Sequence, residues 1–175
     1  LAIRPYPAGW EKEFSSDGDD FCIRPIEPAD IALYPAFMAK VSPADIRLRF
    51  LAPRKSFPDE MLKRLTQLDY DRDMAFVVLE KPNGALAGVG RLSSDPDRVR
   101  AEYALLVRTD LQGRGIGWQI LQQIVAYARA ERLGWIEGIV LEENTGMLTM
   151  CREFGFTIVE KVDEPGLMLV TLDLR

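Results

Sequence analysis

Gln112-Gly113-Arg114-Gly115-Ile116-Gly117 places three glycines within five positions, between an apolar run at 105–107 and an apolar-periodic stretch that starts at Ile116. Glycine lets a ligand come close to the main chain, and the first amides of a helix donate to an anion held at the positive end of its dipole. A pyrophosphate suits such a turn. Arg114, inside the turn, either adds a charge-assisted contact to that anion or is an ordinary surface arginine. A P-loop would need Lys and then Ser or Thr after its last glycine, whereas Gly117 is followed by Trp118 and Gln119. A dinucleotide fingerprint would need G-x-G-x-x-G in a βαβ unit; the spacing is G-x-G-x-G, and the preceding strands read as a hairpin.

The chain has no histidine, which removes Ser-His-Asp and Cys-His chemistry and the usual two-histidine metal sites. Its two cysteines, Cys22 and Cys151, lie far apart and support neither a disulfide framework nor a four-ligand zinc site, so no metal is expected. A net charge of −5 with no basic block argues against general nucleic-acid binding. Apolar runs such as "MAFVVL" fall far short of the roughly 20 residues of a membrane-spanning helix. The start "LAIRPYPAGW" carries a charge and two prolines where a signal peptide would be apolar, so a cytoplasmic setting is expected. It lacks an initiator methionine, as an excised piece would.

The 175 residues suit one domain. Residues 1–20 read as an irregular arm or linker ending in the polar turn "SSDGDD", with the domain over 21–175. A first strand at "FCIRPI" leads to a helical pattern from Pro28 through Met38, then to helices at 43–50 and 58–68. Strands at 74–80 and 86–93 flank the turn signal "KPNGA", and a third runs over 100–107. Ile116, Ile120, Leu121, Ile124, Val125 and Ala128 define one face of the strongest helix. "WIEGIVL" is a further strand, Asn144 opens a helix that Gly155 stops, and two strands close the chain. The class is α/β.

With this order, Gln112, Gly113, Arg114, Gly115, Ile116 and Gly117 match the signature Q/R-x-x-G-x-G/A of the GNAT superfamily of acyl-CoA-dependent N-acyltransferases, which the chain resembles over 21–175. "ENTGMLTMCREFGF" is similar to that family's second CoA-contacting helix. "IRPYP", "IRPIEPAD" and "SPADIRLRF" resemble the acetyltransferase part of bacterial Pat-type protein lysine acetyltransferases, which is fused behind an acyl-CoA synthetase-like region. The resemblance implies a mixed sheet of about seven strands with flanking helices. It further implies acetyl-CoA as cosubstrate, an acceptor lysine on a partner such as a metabolic acyl-CoA synthetase, and an upstream synthetase-like region. A small amine as acceptor, and a non-catalytic acyl-CoA sensor, are the rival readings.

The same resemblance implies that strand 100–107 parts from the next, that the backbone of Leu105, Leu106 and Val107 pairs with the amides of pantetheine while their side chains pack the core, and that pyrophosphate rests on the glycine turn. Glu102, on that strand, matches the glutamate that protein lysine acetyltransferases of this superfamily use as base. A carboxylate beside a cofactor cleft would have its pKa raised by desolvation. Asp95 and Asp97 are the fallback. Asn144 matches a cofactor-contacting asparagine and is equally suited to cap its helix. Where many relatives have a tyrosine to protonate the leaving thiolate, this chain has Cys151, which either donates or simply packs the core. Arg47, Arg49 and Phe50 fall where the acceptor entrance is expected.

Overall fold

A computed structural model describes residues 4–175. Eight strands form one sheet: β1 (Lys12–Ser16), β2 (Asp19–Pro25), β3 (Asp73–Glu80), β4 (Leu86–Ser94), β5 (Arg100–Val107), β6 (Trp135–Leu141), β7 (Thr157–Glu160) and β8 (Leu167–Asp173). Their spatial order is β1-β2-β3-β4-β5-β6-β8-β7, and only the β5–β6 pair is parallel. Five helices cover it: α1 (Tyr34–Ala39), α2 (Pro43–Phe50), α3 (Asp59–Thr66), α4 (Ile116–Ala130) and α5 (Thr145–Phe154). Among the described residues no helix is long and apolar enough to cross a membrane.

The strand beyond the expected seven is β1, in the segment read as an irregular arm. Its sequence, Lys-Glu-Phe-Ser-Ser, offers a single apolar side chain, so burial gives almost no signal there. What creates it is the turn. Asp17 and Gly18 both take positive φ, 50° and 84°, the backbone that an Asp-Gly hairpin adopts, and Phe14 then stacks on Phe21 with ring centroids 5.4 Å apart. The helical pattern from Pro28 also resolves differently. A 3-10 turn over Pro28–Leu33 precedes α1, and Asp30 accepts the Glu27 amide at 2.8 Å to start it.

Two cores sit on the two sheet faces. Phe76, Tyr103, Ile116, Ile120 and Ile124 belong to the face under α4 and α5, while Ile26, Phe37, Leu62, Val77 and Leu106 belong to the face under α1, α2 and α3. The helix α4 lies close on β4 because the facing residue there is glycine: a Cβ at Gly90 would stand 2.1 Å from Ile120 Cγ2 and 2.8 Å from Ile124 Cδ1. Gly90→Ala should therefore overpack this interface and cost about 1–3 kcal/mol, read as a lower urea midpoint at unchanged m-value.

The end of β5 is fixed electrostatically. Arg108, 4% exposed, donates to Asp110 at 2.7 Å and to Glu80 at 3.0 Å, tying the strand's exit to β3. It was not singled out in the sequence, where nothing distinguishes it from a surface arginine.

Candidate active site

The strands β5 and β6 are in register only at Arg100, Ala101 and Glu102, opposite Trp135, Ile136 and Glu137; beyond that β5 continues along β4 and β6 along β8. A side chain holds them apart. The Tyr103 ring packs against Gly138, where a Cβ would meet it at 2.6 Å, and its hydroxyl lies 3.1 Å from Cys151 Sγ. The wedge opens a cleft of about 440 Å³ lined by Leu105, Val107, Gly117, Asn144, Met147 and Met150 among others.

Arg108 N donates to Ala87 O at 2.9 Å, so alternation along the strand turns the backbone of Leu106 toward β4 and that of Tyr103, Leu105 and Val107 toward the gap. Of the three residues expected to offer main-chain groups, Leu105 and Val107 do face the opening. Leu106 does not, because its groups belong to the β4 ladder. The Val107 carbonyl already accepts from Gln112 Nε2 at 3.1 Å, and that amide also donates to Asp45 of α2 at 3.0 Å. Gln112 is thus a staple between the turn, β5 and α2. Leu106 and Val107 side chains are buried.

The glycine turn has the geometry its spacing predicts. Gly113 and Gly115 take φ of 78° and 81°, with nothing within 4 Å of a built Cβ. Gly115 is the N-cap of α4 and supplies no side-chain cap, so the first amides of the helix, at Ile116 and Gly117, face the cleft without a local acceptor. Gly115→Ala would force an L-residue into the left-handed region at a cost of about 1–2 kcal/mol. An acetyl-CoA affinity loss of about tenfold in calorimetry is the expected consequence.

Arg114 is not among the residues that line the cleft. Its side chain is turned out of the cleft onto the β1–β2 hairpin, donating to Asp19 at 2.6 Å and to the Ser16 carbonyl at 2.9 Å, while Ser16 Oγ donates back to the Arg114 carbonyl. The hairpin missed in the sequence supplies the acidic partners that claim it.

Glu102 stands where the two strands part, and its side chain is exposed. What the position offers is access from solvent. It shares a face with Ala104 and Leu106, on the side of α2. Asp95 and Asp97 are turn residues, accepting from the amides of Arg100 and Val99 at 3.0 and 3.1 Å. Cys151 is 0% exposed, and burial pushes its thiol pKa up. Core packing against Tyr103 is the role its position supports. Asn144 Oδ1 accepts from the Met147 amide at 3.3 Å, so it caps α5 while lining the cleft. Arg47 of α2 donates to Glu143 at 2.5 Å, joining the two walls of the cleft, and Arg49 stacks over Phe50 at 4.6 Å.

Fold and cleft define an α/β acyltransferase of the GNAT type, in which a split sheet meets an open amide turn. The Acetyltransferase (GNAT) family profile matches residues 45–156, and the chain belongs to that family as an N-acetyltransferase. An acetyltransferase of Pseudomonas aeruginosa is 28% identical over 146 residues, 82% of this chain and 78% of its own. The GNAT domain of S. lividans PAT superposes with a TM-score of 0.87 at 26% identity, covering 97% of this chain and 99% of that one. The Salmonella typhimurium protein yncA, solved with its cofactor acetyl-CoA, shares the fold at a TM-score of 0.70 and 21% identity, over 89% and 94% of the two chains.

Proposed function

We propose that this domain transfers acetyl from acetyl-CoA to a lysine side chain of a partner protein, in a cytoplasmic setting, with a metabolic enzyme such as an acyl-CoA synthetase as the target. The observation that carries the reading is the likeness to the PAT domain over nearly the whole of both chains. An upstream synthetase-like region belongs to the same proposal.

The residues fit an acyl-CoA. Open space at Gly113 and Gly115 admits a pyrophosphate to uncapped amides, and the edge of β5 at Leu105 offers a free main-chain donor and acceptor to a pantetheine amide. When bound, acetyl-CoA supplies the activated thioester. The chain itself does three things. The turn and strand edge hold the thioester at the fork, Arg47 and Glu143 keep the walls together, and Glu102 receives a proton. Glu102, directly or through a water beside it, takes the proton of the acceptor ammonium, and the freed amine nitrogen then bonds to the acetyl carbon as the carbon–sulfur bond breaks. The nitrogen loses its second proton to solvent, which protonates the departing sulfur.

Incubation with radiolabelled acetyl-CoA and either a purified acyl-CoA synthetase or a panel of small amines tests the acceptor. Label in the synthetase is the expected result; label confined to small amines rejects the protein-lysine reading. The small-amine reading has some support of its own, since an L-methionine sulfoximine/L-methionine sulfone acetyltransferase of Pseudomonas aeruginosa is 30% identical over 69 residues, 39% of this chain and 40% of its own.

A further inference from the structure

The acceptor face holds positive charge that the acetyl-transfer chemistry leaves unused. Arg91 on β4 and Arg49 on α2 meet in a mostly apolar surround that includes Phe37, Phe50, Phe57, Leu65 and Leu106. Arg91 donates Nη2 to the Leu65 carbonyl at 2.7 Å, while its Nη1 is buried with no partner. The Tyr34 hydroxyl, on a residue 3% exposed, is likewise buried without a hydrogen bond of good geometry; it lies near enough to Arg91 for the two groups to interact, which leaves both short of a full partner. Among the described residues neither guanidinium has a carboxylate within ion-pair distance. Asp73 reaches Arg91 and Glu102 reaches Arg49 only through their longer-range fields.

Two half-buried like charges in an apolar surround are an unusual thing to leave uncompensated. Burial and the field of Arg91 pull Arg49 down to about 10, and burial lowers Arg91 as well. The space between them is about 20 Å³, enough for one water. A water would satisfy hydrogen bonds there but would neutralise neither charge. Arg49 lines both this recess and the main cleft, so it stands at the mouth between them. In register, Arg91 lies opposite Ala104, one diagonal step from Glu102 on the same face, about 7–8 Å between Cα atoms.

We propose that Arg49, Arg91 and the Tyr34 hydroxyl form a receptor for a carboxylate that the acceptor carries near its reacting amine. The geometry assigns the amine to Glu102 and the carboxylate to the arginines, entering past Arg49 so that one oxygen reaches the unpartnered donors behind it. The carboxylate comes either from an acidic side chain flanking an acceptor lysine or from the carboxyl group of a free amino acid; the chemistry recognised is the same. This inference rests on the acetyl-transfer reading of the cleft but not on the acceptor's being a protein.

The test compares matched acceptors: lysine peptides flanked by Glu or by Gln, and free amino acids against their carboxamides. The carboxylate member of at least one pair should show a kcat/KM about tenfold higher or more, and the ratio should collapse toward one in Arg49→Gln and Arg91→Gln. Preference in the peptide arm supports both this subsite and the protein-lysine reading. Preference confined to free amino acids supports the subsite and rejects that reading. Equal turnover of carboxylate and carboxamide acceptors in the wild-type chain overturns the subsite, with no variant needed. If neither arm is acetylated, succinate is the probe: calorimetric binding that Arg49→Gln abolishes supports the site, and no binding overturns it. A second readout separates recognition from architecture. Relieving like-charge repulsion should raise the urea midpoint of the arginine variants. A lowered midpoint with the acceptor preference intact would mark the pair as structural and also overturn the proposal.

Discussion

Glu102→Gln should lower kcat about 10²-fold or more at neutral pH while acetyl-CoA still binds. A lysine amine with a pKa of about 10.4 is free in only about one molecule in 2,500 at pH 7, so the rate depends on a group that takes its proton at the fork of the sheet. Gln keeps the shape of Glu102 and removes the acceptor charge. The substitution is structurally mild, because the Glu102 side chain is exposed and engages no hydrogen bond or ion pair among the described residues. A change in urea stability within about 0.5 kcal/mol is expected. The pH dependence has a definite sign: as pH rises toward the amine pKa, the acceptor loses its proton to solvent, the base matters less, and the rates of wild type and variant converge. Steady-state rates from pH 7 upward, with calorimetry for coenzyme A, provide the check. Equal rates at pH 7 would remove Glu102 from the mechanism; loss of coenzyme A binding would mean that it positions the cosubstrate instead.

The parts of this site that were legible in the sequence are those whose chemistry is carried by neighbouring residues. Gln112 to Gly117 announce an amide turn because positive φ, close approach and helix initiation are all local demands, and the structure meets them at Gly113 and Gly115. The α4 face was readable for the same reason, since its period repeats within one segment. What escaped depends on segments far apart in the chain. Arg114 is diverted by Asp19, 95 positions away at the start of β2, in a hairpin hidden by the polar sequence of its other strand, β1. The recess at Arg91 draws on α1, α2, α3, β4 and β5, and each contributor alone reads as an ordinary core or surface residue. Tyr103 lies inside "AEYALLV", yet its function as a wedge needs Gly138 and Cys151 from two other elements. Splaying of the strands was expected from family likeness, and its physical cause became visible only in three dimensions.

Arg24→Met should be strongly destabilising, costing about 3–5 kcal/mol. Arg24 of β2 grips Asp30 with two hydrogen bonds, 2.8 and 2.7 Å, and Asp30 is 3% exposed. The same carboxylate accepts the Glu27 amide that starts the turn into α1, so the pair anchors the chain where it leaves the sheet for the acceptor-side helices. Removing Arg24 strands a buried carboxylate with a single backbone donor, and an uncompensated charge costs more than the ion pair itself contributes. The double substitution Arg24→Met with Asp30→Leu discriminates between these terms. If charge burial is the cause, the second change should recover most of the loss, because a buried ion pair exchanged for apolar side chains is often neutral. If the hydrogen bond to Glu27 is what holds the segment, the double variant should be no better than Arg24→Met. Urea midpoints of the two single variants and the double variant separate the outcomes, and the second result would make Asp30 a backbone cap first and a counter-ion only incidentally.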